Sequence, residues 1–319
     1  METGARLEAV LGASGGSMLR VAPRLSARYA LGGGMTVSGS LARTYQDAQA
    51  LTPAGPEAGP IALAGLFWVL PSDSVPALRA DLAFLGVERW LGTSTLLSLG
   101  TYARHTLGVL SPDPHAGWLH QRPVWRVSKM DARGAEVEVR RLAGAVTASL
   151  AYSFTHAELT TDGRPHPAPA GRRHGLDLAA SVRPTSGLQL TAAFTAASGA
   201  PFTRYTAAAA VCPGSEHTSC GVRVYGRSAG AARGRAYRSL DLRGEWSAEV
   251  RRLDLSAWLQ LHNVLRRSNR AAYLASSTFC VGERCDPFEE PDPSVTSGGH
   301  DRFLPGLPFL PAAGVRIRF

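Results

Sequence analysis

No apolar run in this 319-residue sequence reaches the 18 or so residues that a membrane-spanning helix needs. No glycine-rich phosphate loop precedes a helix, and there is no convincing helix for one. The opening METGARLEAV has no apolar core of a secretory signal, and no small-residue cleavage site follows it. The chain is therefore expected to be a fragment, a processed form or a protein that is not secreted. Lysine is nearly absent: Lys129 stands alone among 34 basic residues, at a net charge of +9. The arginines are spread along the chain without a basic block or recognisable module, which argues against nucleic-acid binding. They fit an arginine-rich surface or lumen that attracts anions; a genome biased towards Arg and Ala codons is the simpler account.

Cysteine is scarce too, with four residues. Cys212 and Cys220 form one local pair, Cys280 and Cys285 another, both in polar stretches rich in Gly, Pro or Glu. Neither pair has the two-residue spacing and companion histidine of a zinc knuckle. Two loop-stapling disulfides, implying an oxidising compartment, are the better reading. Glycine (34) and proline (21) are plentiful and suit many turns and long loops.

What fills the chain is alternation with a period of two, the mark of β-strands with one apolar and one polar face. In 145–155, Val146, Ala148, Leu150, Tyr152 and Phe154 oppose Thr147, Ser149, Ala151, Ser153 and Thr155. In 253–262, leucines and Ala257 oppose Asp254, Ser256, Trp258, Gln260 and His262. Twelve such segments are expected, near 6–13, 18–31, 34–46, 77–89, 93–106, 128–142, 145–160, 173–184, 187–198, 234–248, 251–264 and 308–319. Several exceed the five or six residues typical of soluble sheets and match the nine to eleven of a tilted membrane-crossing strand.

The connections separate membrane barrel from sandwich. Those at 31–34, 90–93, 143–144, 184–187 and 249–251 are tight, and those near 47–76, 107–127, 161–172, 199–233 and 265–307 are long. An early turn near 14–17 is the exception. Outer-membrane barrels have short periplasmic turns and long extracellular loops, whereas a sandwich has no reason to gather its long loops at one end. Both cysteine pairs fall in long loops. Tyr29, Trp90, Trp246 and Phe319 lie near the short-turn end, where an aromatic girdle belongs, and Trp258 points to the polar face. The expected fold is all-β: an antiparallel transmembrane β-barrel domain over 1–319, with about twelve strands present.

The last residues, LPFLPAAGVRIRF, end in mid-strand on an aromatic, as outer-membrane barrels do. Gly314, Ile317 and Phe319 fit their polar-x-Gly-x-x-apolar-x-aromatic assembly signal, and Ala312 departs from it. Further phrases follow in order: APRLSARYALGGGMTVSGSLARTYQ (22–46), LGVERWLG (85–92), ARGAEVEVRR (132–141), LAYSFTHAEL (150–159), RRHGLDLAASV (172–182), SGAPFT (198–203), YRSLDLRGEW (237–246) and LQLHNVLRRSN (259–269). Taken together they resemble the C-terminal β-barrel portion of TonB-dependent outer-membrane receptors. The resemblance implies a barrel of twenty-two strands around a plug, of which this chain covers the last twelve; the plug, the TonB box and about ten strands have no counterpart here. It also implies partners: outer-membrane lipid, the barrel-assembly machinery, a scarce small-molecule nutrient, the plug and remaining strands if encoded upstream, and TonB through that missing part only. No cofactor is implied.

Other chemistry is weaker. His115 and His120, five apart in a loop with Asp113, make a weak metal candidate. Glu136 and Glu138 share the polar face, as lumen lining or paired with Arg140. Ser153 and His156 lie on opposite strand faces, which leaves no nucleophile–base pair, and no enzyme is expected. Gly32–Gly34 serve a turn, Asn263 and Asn269 strand exits, and His174 a backbone contact. Two rival functions remain: an autonomous twelve-stranded passive channel, and a soluble β interaction protein.

Overall fold

The computed structural model describes residues 2–11, 17–51, 67–72, 75–112, 125–169, 171–202, 205–211, 221–226, 229–250, 253–274 and 302–318. None of these is helical. Twelve strands, β1 (Glu2–Leu11), β2 (Ser17–Gly32), β3 (Met35–Gln46), β4 (Leu78–Leu91), β5 (Thr95–Pro112), β6 (Trp125–Arg141), β7 (Val146–Thr161), β8 (His174–Thr185), β9 (Leu188–Ala197), β10 (Tyr237–Val250), β11 (Leu253–His262) and β12 (Leu310–Arg318), form one antiparallel meander. Each pairs with its sequence neighbours, and the short strand Arg164–Pro167 folds back on the end of β7.

Short connections gather at one edge of this sheet. At the first, Gly32, Gly33 and Gly34 have φ of 84°, 58° and 74°, a left-handed run open to glycine at no steric cost. The long connections leave the opposite edge and carry hairpins of their own. Gln49–Leu51 pairs with Phe67–Val69, Tyr205–Val211 with Gly221–Gly226, and Arg270–Leu274 with Arg302–Pro305.

The strands lean strongly. One row of Cα partners runs Tyr29, Val37, Val87, Leu99, Val137, Tyr152, Leu176, Ala196, Arg238. It starts beside the Gly32 turn and ends at the long-connection edge of β10. A row perpendicular to the strands that drifts from one edge to the other is the signature of sheared, tilted strands in a barrel wall.

Among the described residues of the main sheet the buried ones are few and lie mostly at the long-connection end of the polar face. Thr106 is 1% exposed, Leu159 3% and Ala80 4%. The Gln49 side chain clips this region: its Nε2 donates to the Gly108 carbonyl (2.7 Å) and its Oε1 accepts from Leu110 N–H (3.0 Å). Gly108, at φ 83°, is a bulge that shifts the β5–β6 register between Leu107 and Val109.

Candidate functional site

The alternation expected from the sequence sorts the described strands into two chemically distinct faces, and the register extends each face across the sheet. The apolar face is bounded by charge. On β4, Arg89 and Asp81 face that side with only Val87, Leu85 and Ala83 between them; on β6, Arg141 and Arg133 enclose Val139, Val137 and Ala135. Eight residues at ~3.3 Å each, tilted by about 40°, give a band roughly 20 Å tall, close to the height of the apolar belt on outer-membrane barrels. Its side chains have no second layer over them: Leu41 is 57% exposed, Leu99 47% and Val315 74%.

The polar face is cross-linked by ion pairs. Arg28 donates to Glu88 (2.7 Å) and Arg140 pairs with Glu138 (2.8 Å). Arg243 pairs with Glu245 (2.9 Å), donates to Gln260 (3.2 Å) and stacks 4.8 Å from the Trp258 ring centre. Thr195 donates to Asp177 (2.8 Å). Asp241 accepts from the Asn263 N–H (2.9 Å) and the Ser239 hydroxyl (3.1 Å) and faces His262 Nδ1 at 3.2 Å. These arginines are neutralised where they stand, so this wall is not the bare cationic surface that the composition suggested. A recess of about 360 Å³ opens on it, lined by Glu88, Glu136, Glu138, Asp177, Ser38 and Ser98. Among the described residues no group of three His, Cys, Asp or Glu side chains is arranged to hold a metal ion.

The sequence-derived residues distribute unevenly. Glu138 takes Arg140 as its ion-pair partner, while Glu136 lines the recess. Ser153 borders that recess and His156 a cavity on the other face, so they do not meet. Asn263 is 3% exposed; its amide nitrogen donates to the carbonyls of Arg267 (2.9 Å) and Leu307 (3.0 Å). Asn269 imitates a strand residue, accepting from Arg238 N–H (3.0 Å) and donating to Arg238 O (2.8 Å). Asn263 closes the exit of β11 as expected, whereas Asn269 closes the entry of β10. The His174 ring binds a side chain instead of backbone: its Nδ1 lies 2.8 Å from the Tyr152 hydroxyl, and its ring stacks on Tyr152.

Of the girdle aromatics, Tyr29 (69% exposed) and Trp246 (48%) lie on the apolar face. Trp90 shares its face with Glu88 and Gly86 by strand parity, so it leaves the girdle. In the terminal motif, Ile317 is opposite Leu255 on the apolar face and Gly314 opposite Trp258 on the polar one. Phe319, the four cysteines Cys212, Cys220, Cys280 and Cys285, and Asp113, His115 and His120 lie outside the described residues.

Reasoning from the sequence missed a set of aromatic–glycine contacts on the polar face. A Cβ on Gly134 would stand 2.6 Å from the Tyr102 ring, one on Gly86 2.8 Å from Phe84, and one on Gly314 2.7 Å from Trp258. Rings laid over strand glycines fill the space that a missing side chain leaves. Glycine inside a strand was the available signal, because it marks a close approach.

No protein-family model matches the chain, and no curated protein does. Solved structures do. The ferric-catecholate import receptor Fiu of E. coli K12 matches with a TM-score of 0.56 and 14% identity over 94% of the chain. The ferric preacinetobactin receptor BauA of Acinetobacter baumannii matches at 0.54 with 13% identity over 95%. The chain has the barrel fold of TonB-dependent receptors. The FrpB iron transporter of Neisseria meningitidis extends the agreement, with a TM-score of 0.55 and 13% identity over 97% of the chain. The chain spans 35% of Fiu, 36% of BauA and 41% of FrpB, so it corresponds to little more than a third of a receptor-barrel protein.

Proposed function

We propose that this chain is part of the wall of a TonB-dependent receptor in the outer membrane of a Gram-negative bacterium, serving uptake of a scarce small-molecule nutrient. The observation that carries this reading is the exposed apolar band bounded by outward charges at both ends, on a tilted meander whose long connections leave one edge. In a closed barrel the pairing satisfies every backbone donor and acceptor inside lipid. The apolar face is then the lipid side, and the ion-paired face lines the lumen beside the plug and the nutrient's route. The long connections face outward to capture substrate, and TonB acts only through a plug-bearing part. Gly314, Ile317 and Phe319 serve recognition by the barrel-assembly machinery.

The sheet edges favour a shared barrel over an autonomous channel. Among the described residues, β1 pairs with β2 only as far as Ser26, so 27–32 of β2 have no partner on that side, and β12 pairs with β11 alone. Open strand edges in lipid are costly, so both edges must be covered there, by other strands of a shared wall or, for the chain alone in vesicles, by another copy. The test is to fold the chain into phosphatidylcholine vesicles and run it unboiled and boiled on a denaturing gel. A faster unboiled band and protection by the vesicles are expected. Identical migration with solubility in plain buffer would overturn the membrane reading, and a steady ion conductance from the chain alone would favour the self-closing channel.

The long loops are proposed to carry disulfides, Cys212–Cys220 and Cys280–Cys285. The first pair lies within one connection, between the paired residues Val211 and Gly221. Peptide mapping without reductant should show two linked local pairs and no free thiol under alkylation; alkylation at Cys212 and Cys220 would rule out the first.

A further inference from the structure

A cavity of about 990 Å³ lies on the apolar face and follows one row of the sheet. Leu25, Leu41, Ala83, Ala103, Arg133 and His156 are successive Cα partners across six strands, β2 to β7, and all six line it. The alanine methyls form a low floor between taller neighbours. Four positions of the row are apolar and the last two are basic. The row also climbs: Leu25 is seven residues from the Gly32 end of β2, while His156 is ten from the Val146 end of β7. Its basic end is thus nearer the long-connection edge.

The adjoining row, Arg43, Asp81, His105, Asp131 and Glu158, is charged, and all of it but Glu158 is paired. Arg43 donates to Asp81 at 2.6 Å, Arg79 reaches the same carboxylate at 3.7 Å, and His105 lies 2.6 Å from Asp131. The side chains of Arg133 and His156 have no hydrogen-bond or ion-pair partner among the described residues, and Glu158, which also lines the cavity, is the one nearby acid left over. An arginine at the border of a lipid-facing band needs a counter-charge, because an ionised group there is expensive unless paired or hydrated.

We infer that this groove seats a membrane lipid with a phosphate headgroup. Its acyl chain lies along Leu25, Leu41, Ala83 and Ala103, and its phosphate sits between Arg133 and His156. Arg133 offers a planar fork of donors suited to two phosphate oxygens, and His156 adds a ring N–H. The inference rests on the membrane reading above, since only a lipid-facing wall meets an acyl chain.

The test uses the full chain folded in dodecyl maltoside micelles, with native mass spectrometry counting lipids retained on addition of dioleoyl phosphatidic acid or dioleoylglycerol. Phosphatidic acid is expected to be retained and diacylglycerol lost. The double variant Arg133→Gln/His156→Gln should lower retention about tenfold, as expected for losing charge-assisted bonds. Ala103→Trp, which fills the floor, should lower it similarly with both basic groups intact. Arg89→Gln, at the opposite border of the band, should leave it unchanged. Equal retention of the two lipids overturns the phosphate assignment. Full retention in Ala103→Trp, with displacement by inorganic phosphate, overturns the acyl groove in favour of a plain anion site. The heat-dependent gel shift is read first on each sample: a chain lacking it has failed the barrel reading and the lipid site with it, whereas a shifted chain without lipid preference fails the lipid site alone.

Discussion

Leu99→Arg should destabilise the folded chain in vesicles by about 2–4 kcal/mol, the cost of an arginine facing lipid near the bilayer midplane, while Ser98→Arg one position away should cost under about 1 kcal/mol. Leu99 lies between Val87 and Val137 on the apolar face, with no charge on either neighbouring strand in its row. An arginine there must either stay in hydrocarbon or pull water and headgroups towards it. Ser98 lies between Glu88 and Glu138, so an arginine in its place faces carboxylates directly across both strand pairs, a favourable arrangement. The same substituent at adjacent positions of one strand, on opposite faces, makes a contrast that a general effect on the strand would not imitate. The measurement is the denaturant midpoint in vesicles, read from the heat-dependent gel band. Equal penalties would mean that the apolar face does not meet lipid. A free Leu99→Arg change would mark the face as an ordinary wetted surface.

Strand identity was legible because a two-residue period survives any tilt or closure: all twelve expected segments correspond to strands of the main sheet. The errors have local causes. Alternation in β5 reads as ending near residue 106, yet the strand runs on to Pro112. The Gly108 bulge shifts the register by one, so the residues beyond it carry the opposite parity and no longer continue the pattern. Nearness to a turn points Trp90 to the girdle but fixes height and not face; its parity with Glu88 decides the face. The shear that carries one row from Tyr29 to Arg238 is set by pairing between strands, and no single strand encodes it. For the same reason the row from Leu25 to His156 looks in the sequence like six unrelated residues. The loops were placed by length alone, and their internal hairpins were missed because short strands such as Tyr205–Val211 show too few periods to stand out.

The terminal strand gives the last expected result. Gly314→Val should cost roughly 1–3 kcal/mol, the range for forcing extra atoms into filled space, and most of that should vanish in a Trp258→Ala background. A Cβ at Gly314 would stand 2.7 Å from Cε2 and Nε1 of Trp258 and 2.8 Å from its Cζ2, and the three nearest atoms all belong to that ring. The ring is not free to swing. Arg243 stacks on it at 4.8 Å and is itself held by Glu245 and Gln260. Removing the indole takes away the clash but not the β-branched side chain, so the double-mutant cycle isolates the contact. Ile317→Ala makes the control. That side chain is on the other face and 56% exposed, so its truncation should have a small effect on intrinsic stability even if it weakens recognition during assembly. Stability measured after refolding into vesicles without assembly factors keeps the two roles apart. If Gly314→Val costs as much without Trp258 as with it, the glycine answers to backbone geometry or to the assembly machinery rather than to the ring. If the cost disappears, the glycine of the terminal motif is there because a tryptophan across the strand pair occupies the place of its side chain.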